Sequence, residues 1–379
     1  MSTLQIFLDA KPLFYDEIDL ERMPKVYKSI RFKLPSPKVI HIVGTNGKGT
    51  TGRFLADALL QNTLNVGHYT SPHILSFNER IWLNGANVED SILEEAHIVL
   101  LGLLTTSQAD ALSYFEYTTL LAMVVYKDCD YVVLEAGLGG EHDATAVFPK
   151  ELTLVTPIAF DHEAFLGSSL EAIATTKLNA IQKNAILGVQ KFDEIVKIAK
   201  QKNANIYQID ELLDNDDLLK IKEISSALSL PKYLEDNLKL SISALRFLNI
   251  NYKSENFNNA RLFGRLSRLE ENIYLDVGHN TLAATSILEA LQGDKYTLVY
   301  NSYKDKDYPA ILKILKPIIK EVQILQICDE RIETKELIHK TLIELKIKYK
   351  QFKKIEKYEK YLVFGSFSVA EEFLKVYNG

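Results

Sequence analysis

A short glycine-rich turn carries the residues best suited to chemistry in this 379-residue chain. Positions 41–51 read HIVGTNGKGTT, so a β-branched run leads into a turn with one lysine and then two threonines. Glycines let successive backbone N–H groups point at an anion, Lys48 adds a positive charge, and a hydroxyl of Thr50 or Thr51 can bind magnesium. The turn therefore predicts binding of a nucleoside triphosphate. The expected phosphate-binding residues are Gly44, Thr45, Asn46, Gly47, Lys48, Gly49 and Thr50.

The spacing of this turn is shorter than that of the common phosphate-binding loop. The motif G-x-x-x-x-G-K-[ST] would place a glycine where this chain has Ile42. A short glycine-rich turn also occurs as a purely structural connection between a strand and a helix. The rest of the chain has to decide between these two interpretations.

Polar side chains follow two further apolar runs. Positions 131–135 read YVVLE and continue into AGLGG, and the run 152–158 leads to Asp161 and His162. Ligands of open α/β sheets bind beyond the carboxyl ends of the strands, so Glu135 is a candidate magnesium ligand. Ser71 could complete the metal shell through its hydroxyl. Magnesium prefers oxygen, so ligation by His162 favours manganese or a mixed shell. A glutamate that merely ends a strand at the surface is the alternative for Glu135.

Two other regions add candidate groups. In the second half of the chain, Arg265 and Asp276 lie near turns that follow predicted strands, and they offer a guanidinium and a carboxylate to a nucleotide. Positions 70–85, after the first helix, have the composition of a loop, and we expect it to be mobile over the ligand.

Composition limits the class of protein. Apolar residues make up 47% and charged residues 25% of the chain, and the length favours two globular units. A net charge of −6 gives no reason to expect a nucleic-acid partner. Cys129 and Cys328 lie far apart, so neither a disulfide framework nor a zinc site is expected. No apolar run approaches the roughly 18 residues of a membrane span, and we expect a soluble, cytoplasmic protein.

The elements that position these residues alternate between strands and helices, which predicts an α/β fold with a mainly parallel sheet. A long helix is expected from Pro231 to about Leu248. The asparagine-rich segment 249–259 has no periodicity and is interpreted as a linker, with domains at 1–253 and 254–379. The second domain is predicted to be a smaller α/β unit. Expected strands are 39–43, 131–135, 152–158, 273–275, 297–300, 322–327 and 361–364; expected helices outside the long one are 53–60, 282–291, 308–320, 334–342 and 369–376.

Taken in order, these motifs resemble the folylpolyglutamate synthase and dihydrofolate synthase family, within the Mur-type ATP-dependent amide ligases. The matching segments are 44–50, 70–73, 78–81, 84–85, 135–140, 143–145, 161–162, 166–167, 276 and 279–280. The resemblance implies an N-terminal P-loop domain of the Mur-ligase central type and a C-terminal Rossmann-like domain. It also implies the joining of L-glutamate to dihydropteroate, to tetrahydrofolate polyglutamates, or to both, through an acyl phosphate formed from ATP.

The resemblance assigns roles to residues of the first domain. Lys48 would hold the triphosphate and act in catalysis, Ser71 and Glu135 would bind one magnesium ion, and His162 would bind a second. Lys177 falls where the family has a carbamylated lysine, whose added carboxylate supplies an oxygen ligand that lysine lacks. The family usually has Glu-Lys-Ala-Gly there, whereas positions 176–179 read TKLN.

The remaining roles concern the substrates. Arg265 and Asp276 would contact ATP, and His279 would lie close to the reacting groups. Phe115 and Asp143 would contact the pterin-bearing substrate. The resemblance implies small-molecule substrates only, and we expect a monomer.

Three alternatives stay open on the sequence. A cell-wall Mur ligase shares the ATP chemistry but usually begins with a UDP-binding domain, for which the residues before the strand at 39 leave no room. A P-loop kinase or GTPase would not need Arg265 and Asp276. A non-catalytic nucleotide-binding module would tolerate the loss of Glu135 and His162, and both are present.

Overall fold

The chain folds into two compact α/β units in a computed structural model that describes residues 3–12 and 19–378. The first unit comprises 1–230 with 234–261, and the second comprises 231–233 with 262–379. Each contains a largely parallel sheet flanked by helices, so the predicted fold class is confirmed.

The sheet of the first unit is mostly parallel. Its strands are β1 (Lys38–Val43), β2 (Val66–Tyr69), β3 (Ile81–Leu83), β4 (Ala86–Asn87), β5 (Tyr131–Glu135), β6 (Leu152–Val155), β7 (Asn184–Leu187) and β8 (Asn205–Gln208). Their order is β4-β3-β2-β5-β1-β6-β7-β8, and only the pairs β2–β3 and β3–β4 are antiparallel among the described strands. The carboxyl ends of β5, β1 and β6 therefore lie side by side at one edge.

Helices cover both faces of this sheet. They are α1 (Thr3–Asp9), α2 (Arg22–Ile30), α3 (Lys48–Leu60), α4 (Asp90–Leu103), α5 (Thr106–Ala111), α6 (Tyr114–Val125), α7 (Glu163–Leu166), α8 (Leu170–Leu178), α9 (Asp193–Lys200), α10 (Ile209–Leu212), α11 (Asn215–Ala227) and α12 (Lys232–Phe247).

The central strand β1 shows how the apolar pattern divides the cores. Alternate side chains of a strand face opposite sides of its sheet. Ile40 and Ile42 pack with residues of α3 and α12, whereas Val39 packs in the core that contains α6, and Val43 packs with α8 and α9. His41 is fully buried on the same face as Val39. Because β1 is covered on both faces, its sequence is almost continuously apolar.

The second unit has its own sheet and core. Its strands are β9 (Ser267–Glu270), β10 (Ile273–Leu275), β11 (Tyr296–Tyr300), β12 (Ile319–Ile324), β13 (Tyr349–Gln351) and β14 (Tyr361–Phe364), and its helices are α13 (Thr281–Leu291), α14 (Tyr308–Leu315), α15 (Lys335–Glu344) and α16 (Phe367–Asn378). The strand order is β13-β12-β11-β14-β10-β9, with β9 antiparallel to β10.

The segment expected to be a linker packs on the first unit instead. It contains a 3-10 helix at Ser254–Phe257, and Tyr252 and Phe257 are buried in the core beside Phe54. The two aromatic side chains have enough apolar surface to hold an otherwise polar segment against the core. The units divide after Arg261, later than the boundary expected after 253.

No helix among the described residues is long and apolar enough to cross a bilayer.

Candidate functional site

The glycine-rich turn joins β1 to α3 at the carboxyl edge of the first sheet. Gly44 has φ +142° and Gly47 has φ +89°, backbone conformations that favour glycine. A Cβ at Gly44 would lie 2.0 Å from Thr156 Oγ1, so there is also no room for a side chain. Thr45 N–H donates to Pro157 O at 2.9 Å, and the Thr45 hydroxyl donates to Ala159 O at 3.0 Å. The turn is thus anchored to the segment that follows β6.

Lys48 and Glu135 meet at this edge. Lys48 Nζ donates to Gly44 O at 3.2 Å and to Thr45 O at 3.3 Å, and it lies 3.9 Å from Glu135 Oε1. Glu135 ends β5, and its side chain is only 5% exposed. Its Oε2 accepts hydrogen bonds from the Thr70 hydroxyl and from Ser71 N–H. The structure therefore brings together Lys48, Glu135 and Ser71, as their positions after strands predicted.

The same edge offers oxygen ligands for a cation. Thr50 lies in the first turn of α3, and its buried hydroxyl has no hydrogen-bond partner within the described part of the chain. A buried hydroxyl without a partner is costly unless a ligand completes it. Thr50 Oγ1 and the Glu135 carboxylate are hard oxygen donors of the kind that Mg²⁺ prefers, so this set fits a divalent cation.

Lys177 reaches the turn from the last turn of α8. Its side chain is buried, and Nζ donates to Gly44 O at 3.0 Å, so Lys48 and Lys177 share one carbonyl. Burial lowers the pKa of Lys177 to about 7, and the neighbouring charge of Lys48 adds to the effect. A substantial fraction of this amine is therefore neutral at physiological pH, which is the form that can react with carbon dioxide.

His162 follows β6 and begins the short helix α7. It adopts a left-handed backbone conformation with φ +53°, and its N–H donates to Asp161 Oδ1 at 2.9 Å. The imidazole is 39% exposed, and Nε2 lies 4.0 Å from Asp161 Oδ1. The side chain thus lies at the solvent-accessible side of the strand ends, beside a carboxylate.

In the second unit, Asp276 organises its own turn. Its two oxygens accept from Leu266 N–H and Gly278 N–H, each at 2.7 Å. Burial raises the pKa of Asp276, and the guanidinium of Arg265 opposes that rise. The Arg265 guanidinium lies over the Phe367 ring at 5.3 Å. His279 is half-buried, with Nδ1 3.2 Å from Val277 O. Arg265 and Asp276 therefore interact within this unit, and His279 follows the turn that Asp276 organises.

Comparison with known proteins decides the family. No profile of a known protein family matches the chain. The dihydrofolate synthase/folylpolyglutamate synthase of Haemophilus influenzae is 31% identical over 344 residues, covering 80% of this chain and 78% of that protein. The chain belongs to the dihydrofolate synthase/folylpolyglutamate synthase family. It is thereby an ATP-dependent ligase of folate metabolism, and the resemblance read from its motifs is confirmed.

Solved structures of this family share the whole fold. The folylpolyglutamate synthetase of Helicobacter pylori is 40% identical, with a TM-score of 0.78, and the match covers 99% of this chain and 98% of that one. A structure of E. coli FolC in complex with DHPP and ADP is 25% identical with a TM-score of 0.80, covering 99% and 97%.

Phe115, predicted to contact the pterin-bearing substrate, packs between Tyr69 of β2 and the loop that follows Glu135. Its ring stacks on Tyr69 at a centroid distance of 5.8 Å. A Cβ at Gly137 would lie 2.8 Å from the Phe115 ring, so the loop after Glu135 rests directly on it. Phe115 lies in the first turn of α6, which is capped by a capping box formed by Ser113 and Glu116.

Asp143 has a structural role that the family resemblance did not indicate. Oδ2 accepts from Gly137 N–H and Leu138 N–H, each at 2.9 Å, and Oδ1 accepts from Thr145 N–H and the Thr145 hydroxyl. A carboxylate has about four acceptor sites, and all are used here by the protein. Asp143 therefore holds the loop that rests on Phe115.

The loop at 70–85, expected to be mobile, is firmly anchored. Glu79 accepts hydrogen bonds from the backbone N–H groups of Ile74, Leu75 and Ser76 at 2.7 to 2.8 Å. Arg80 is buried, and its Nε donates to His73 Nδ1 at 2.8 Å. Glu79 and Arg80 thus turn back onto the loop that contains them.

Two residues that pack against the glycine-rich turn and the start of α3 were missed. Asn237 of α12 is 4% exposed, and its Oδ1 would lie 2.4 Å from a Cβ at Gly47. Ser241, one turn later, donates to Thr51 O at 2.9 Å. A signal was present, because both are polar residues on the apolar stripe of α12 that contains Leu238 and Leu245.

Proposed function

We propose that this chain forms an amide bond between L-glutamate and the carboxylate of a pterin-bearing substrate, with ATP converted to ADP and phosphate. The acceptor is dihydropteroate, a tetrahydrofolate carrying glutamate, or both. A monomer acting in the cytoplasm is part of the same proposal. Membership of the synthase family supports the reaction, and E. coli FolC has been solved with DHPP and ADP.

One observation carries the assignment of the site. Lys48, Lys177 and Glu135 lie at one edge of the first sheet, with both lysines hydrogen-bonded to the Gly44 carbonyl and Lys48 3.9 Å from Glu135. The Lys48 amine and the start of α3 suit a bound phosphate chain, and Glu135 suits a cation on that chain.

The reaction requires activation of the carboxylate, because hydroxide is a poor leaving group. Transfer of the γ-phosphoryl group of ATP to the carboxylate gives an acyl phosphate, and attack by the glutamate amine then releases phosphate. Lys48 and the N–H groups of the turn stabilise the charge on the transferring phosphoryl oxygens. A divalent cation held by Glu135, Ser71 and Thr50 would supply further positive charge to those oxygens when bound.

The remaining candidates take supporting roles in this proposal. His162 is assigned to a second cation, and Lys177, when carbamylated, contributes an oxygen to the same shell. Arg265 and Asp276 contact the nucleotide, and His279 lies beside the reacting groups. Phe115 provides an aromatic surface for the pterin of the acceptor substrate. Asn237, which packs beside Gly47, contacts the nucleotide.

Phosphate release with ATP, Mg²⁺ and glutamate tests the proposal. We expect release only when an acceptor is also present, with dihydropteroate and tetrahydrofolate tested separately against a UDP-linked muramoyl acceptor. Lys48→Ala should abolish turnover and leave the unfolding transition unchanged, while Lys127→Ala, at an exposed lysine of the same unit, should behave like wild type. Turnover with the muramoyl acceptor alone, or normal turnover by Lys48→Ala, would refute the proposal.

A further inference from the structure

A buried series of hydrogen bonds connects strand β1 to the loop after β5. His41 Nε2 lies 2.7 Å from Thr145 Oγ1, and Thr145 Oγ1 lies 2.5 Å from Asp143 Oδ1. The other carboxylate oxygen accepts from the N–H groups of Gly137 and Leu138. His41 and Thr145 are fully buried, and Asp143 is 7% exposed. The series therefore runs from the strand that enters the phosphate-binding turn to the loop that leaves Glu135's strand.

The direction of each hydrogen bond follows from the chemistry of the groups. An ionised carboxylate only accepts, so the Thr145 hydroxyl donates to Asp143 and must accept from His41 Nε2–H. Burial lowers the pKa of His41 well below its usual value, which favours the neutral ring that this arrangement needs. Nδ1 then carries no proton, consistent with the lack of a partner for it in the described residues.

The loop held by Asp143 touches two of the candidate site residues. At one end, Gly137 rests on the Phe115 ring, with a Cβ position 2.8 Å from it. At the other end, a Cβ at Gly140 would lie 2.7 Å from Lys177 O, and the next N–H donates to α8 at 2.9 Å. The loop 137–141 thus spaces the aromatic surface from the backbone that carries the buried lysine.

We propose that Thr145 is a positioning residue of the ligase reaction, whose hydroxyl fixes the loop 137–141 and so sets Phe115 and Lys177 relative to the phosphate-binding turn. The inference rests on the proposed function. A side chain of the same volume but without a hydroxyl would not fix the loop. A valine would fill the same space, but Asp143 would lose a donor and His41 Nε2–H would be left buried without an acceptor.

A matched control exists on the neighbouring strand. Thr153 of β6 is fully buried and pairs with His41 in the strand register, but its hydroxyl has no partner among the described residues. Thr145→Val and Thr153→Val therefore make the same chemical change at two buried sites that both lie next to His41. Only the first removes a hydrogen-bonded hydroxyl, while Thr145→Ser retains it.

Amide hydrogen exchange of the intact chain tests the loop without reference to activity. We expect Thr145→Val to accelerate exchange at Gly137 and Leu138 about tenfold or more, because the carboxylate that accepts from them loses its fixed orientation. Thr145→Ser and Thr153→Val should exchange like wild type. His41→Phe breaks the series at its other end and should accelerate the same amides, which provides a second variant if Thr145→Val does not fold.

Steady-state kinetics test the consequence for the reaction. Thr145→Val should lower kcat/KM for the pterin-bearing acceptor about tenfold or more while KM for ATP changes less than about twofold, with recovery in Thr145→Ser. The inference would be overturned if Thr145→Val left the amide exchange unchanged or lowered kcat/KM equally for ATP and for the acceptor. It would also be overturned if Thr145→Ser did not restore the rate. Absence of ligase activity in the wild-type chain would refute the proposed function instead. The amide-exchange experiment would then still test whether Thr145 fixes the loop 137–141.

Discussion

Replacing Lys177 by methionine should remove a pH dependence of stability that burial creates. The ammonium form of Lys177 is stable in the unfolded chain, where the pKa is near 10.5, but burial lowers the pKa to about 7 in the folded protein. Between these values the unfolded chain binds more protons than the folded one. Stability contributed through this group is therefore lowest below pH 7 and rises as pH increases toward 10.5.

The size of the effect follows from the two pKa values. The difference between the unfolded-state pKa of 10.5 and the folded-state pKa of about 7 corresponds to about 5 kcal/mol in the free energy of unfolding over the full pH range. Between pH 6.5 and pH 9, the linkage relation gives the wild type a gain of about 3 kcal/mol relative to Lys177→Met. Titrating groups that do not interact with Lys177 contribute equally to both proteins and cancel in the difference.

Urea unfolding of the metal-free and nucleotide-free chain measures this difference directly. Buffers must exclude carbon dioxide, because carbamylation of Lys177 would alter the group being titrated. Lys183→Met is the control, since Lys183 is exposed and its ammonium stays hydrated in both states. If the free energies of unfolding of wild type and Lys177→Met run parallel from pH 6.5 to 9, Lys177 is not held in a desolvated site and the reasoning fails.

Two further predictions concern backbone space and a buried charge. Gly44→Ala should abolish binding of a fluorescent ATP analogue, because Gly44 has φ +142° and the new Cβ would overlap the side chain of Thr156 after β6. Gly102→Ala is the control, since Gly102 lies in α4 with open space around it. This variant should keep binding and gain up to about 1 kcal/mol of stability. Asp217→Asn should lower the free energy of unfolding in urea by about 3 to 5 kcal/mol at pH 7, because the fully buried carboxylate pairs with Arg246 at 2.8 to 2.9 Å. The control Asp216→Asn, at an exposed residue, should cost less than about 1 kcal/mol. Equal costs for the two variants would contradict a buried ion pair at Asp217.

Residues that follow strands were the part of the site that sequence could predict. Gly44 and Glu135 are ninety-one positions apart, yet Gly44 comes directly after β1, Glu135 ends β5, and Lys48 begins the helix that follows the turn after β1. Parallel strands deliver their carboxyl ends to one edge, so strand prediction alone was enough to place these side chains together. The same reasoning located Asp276 in the second unit.

Residues that act through tertiary contacts were not predictable in this way. Asn237 and Ser241 read as members of a helix, and only the packing of α12 on α3 places one against Gly47 and the other against Thr51 O. Glu79 was equally hidden, because the hydrogen bonds that anchor its loop go to backbone groups whose sequence carries no signal. The division of the units after Arg261 differs from the expected boundary after 253 for a related reason, because Phe257 buries its ring in the first unit.

The glycine-rich turn at 44–50 is held in shape by contacts from both faces of the sheet. Ile42 and Val43 face opposite sides of β1, and the cores they join contain α12 and α8, respectively. From the α12 side, Asn237 packs on Gly47; from the α8 side, Lys177 donates to Gly44 O at 3.0 Å. The turn is therefore braced at its two ends by helices far apart in sequence. A shortened turn can keep a defined conformation under these conditions, because the missing upstream glycine is compensated by contacts that the motif itself does not contain.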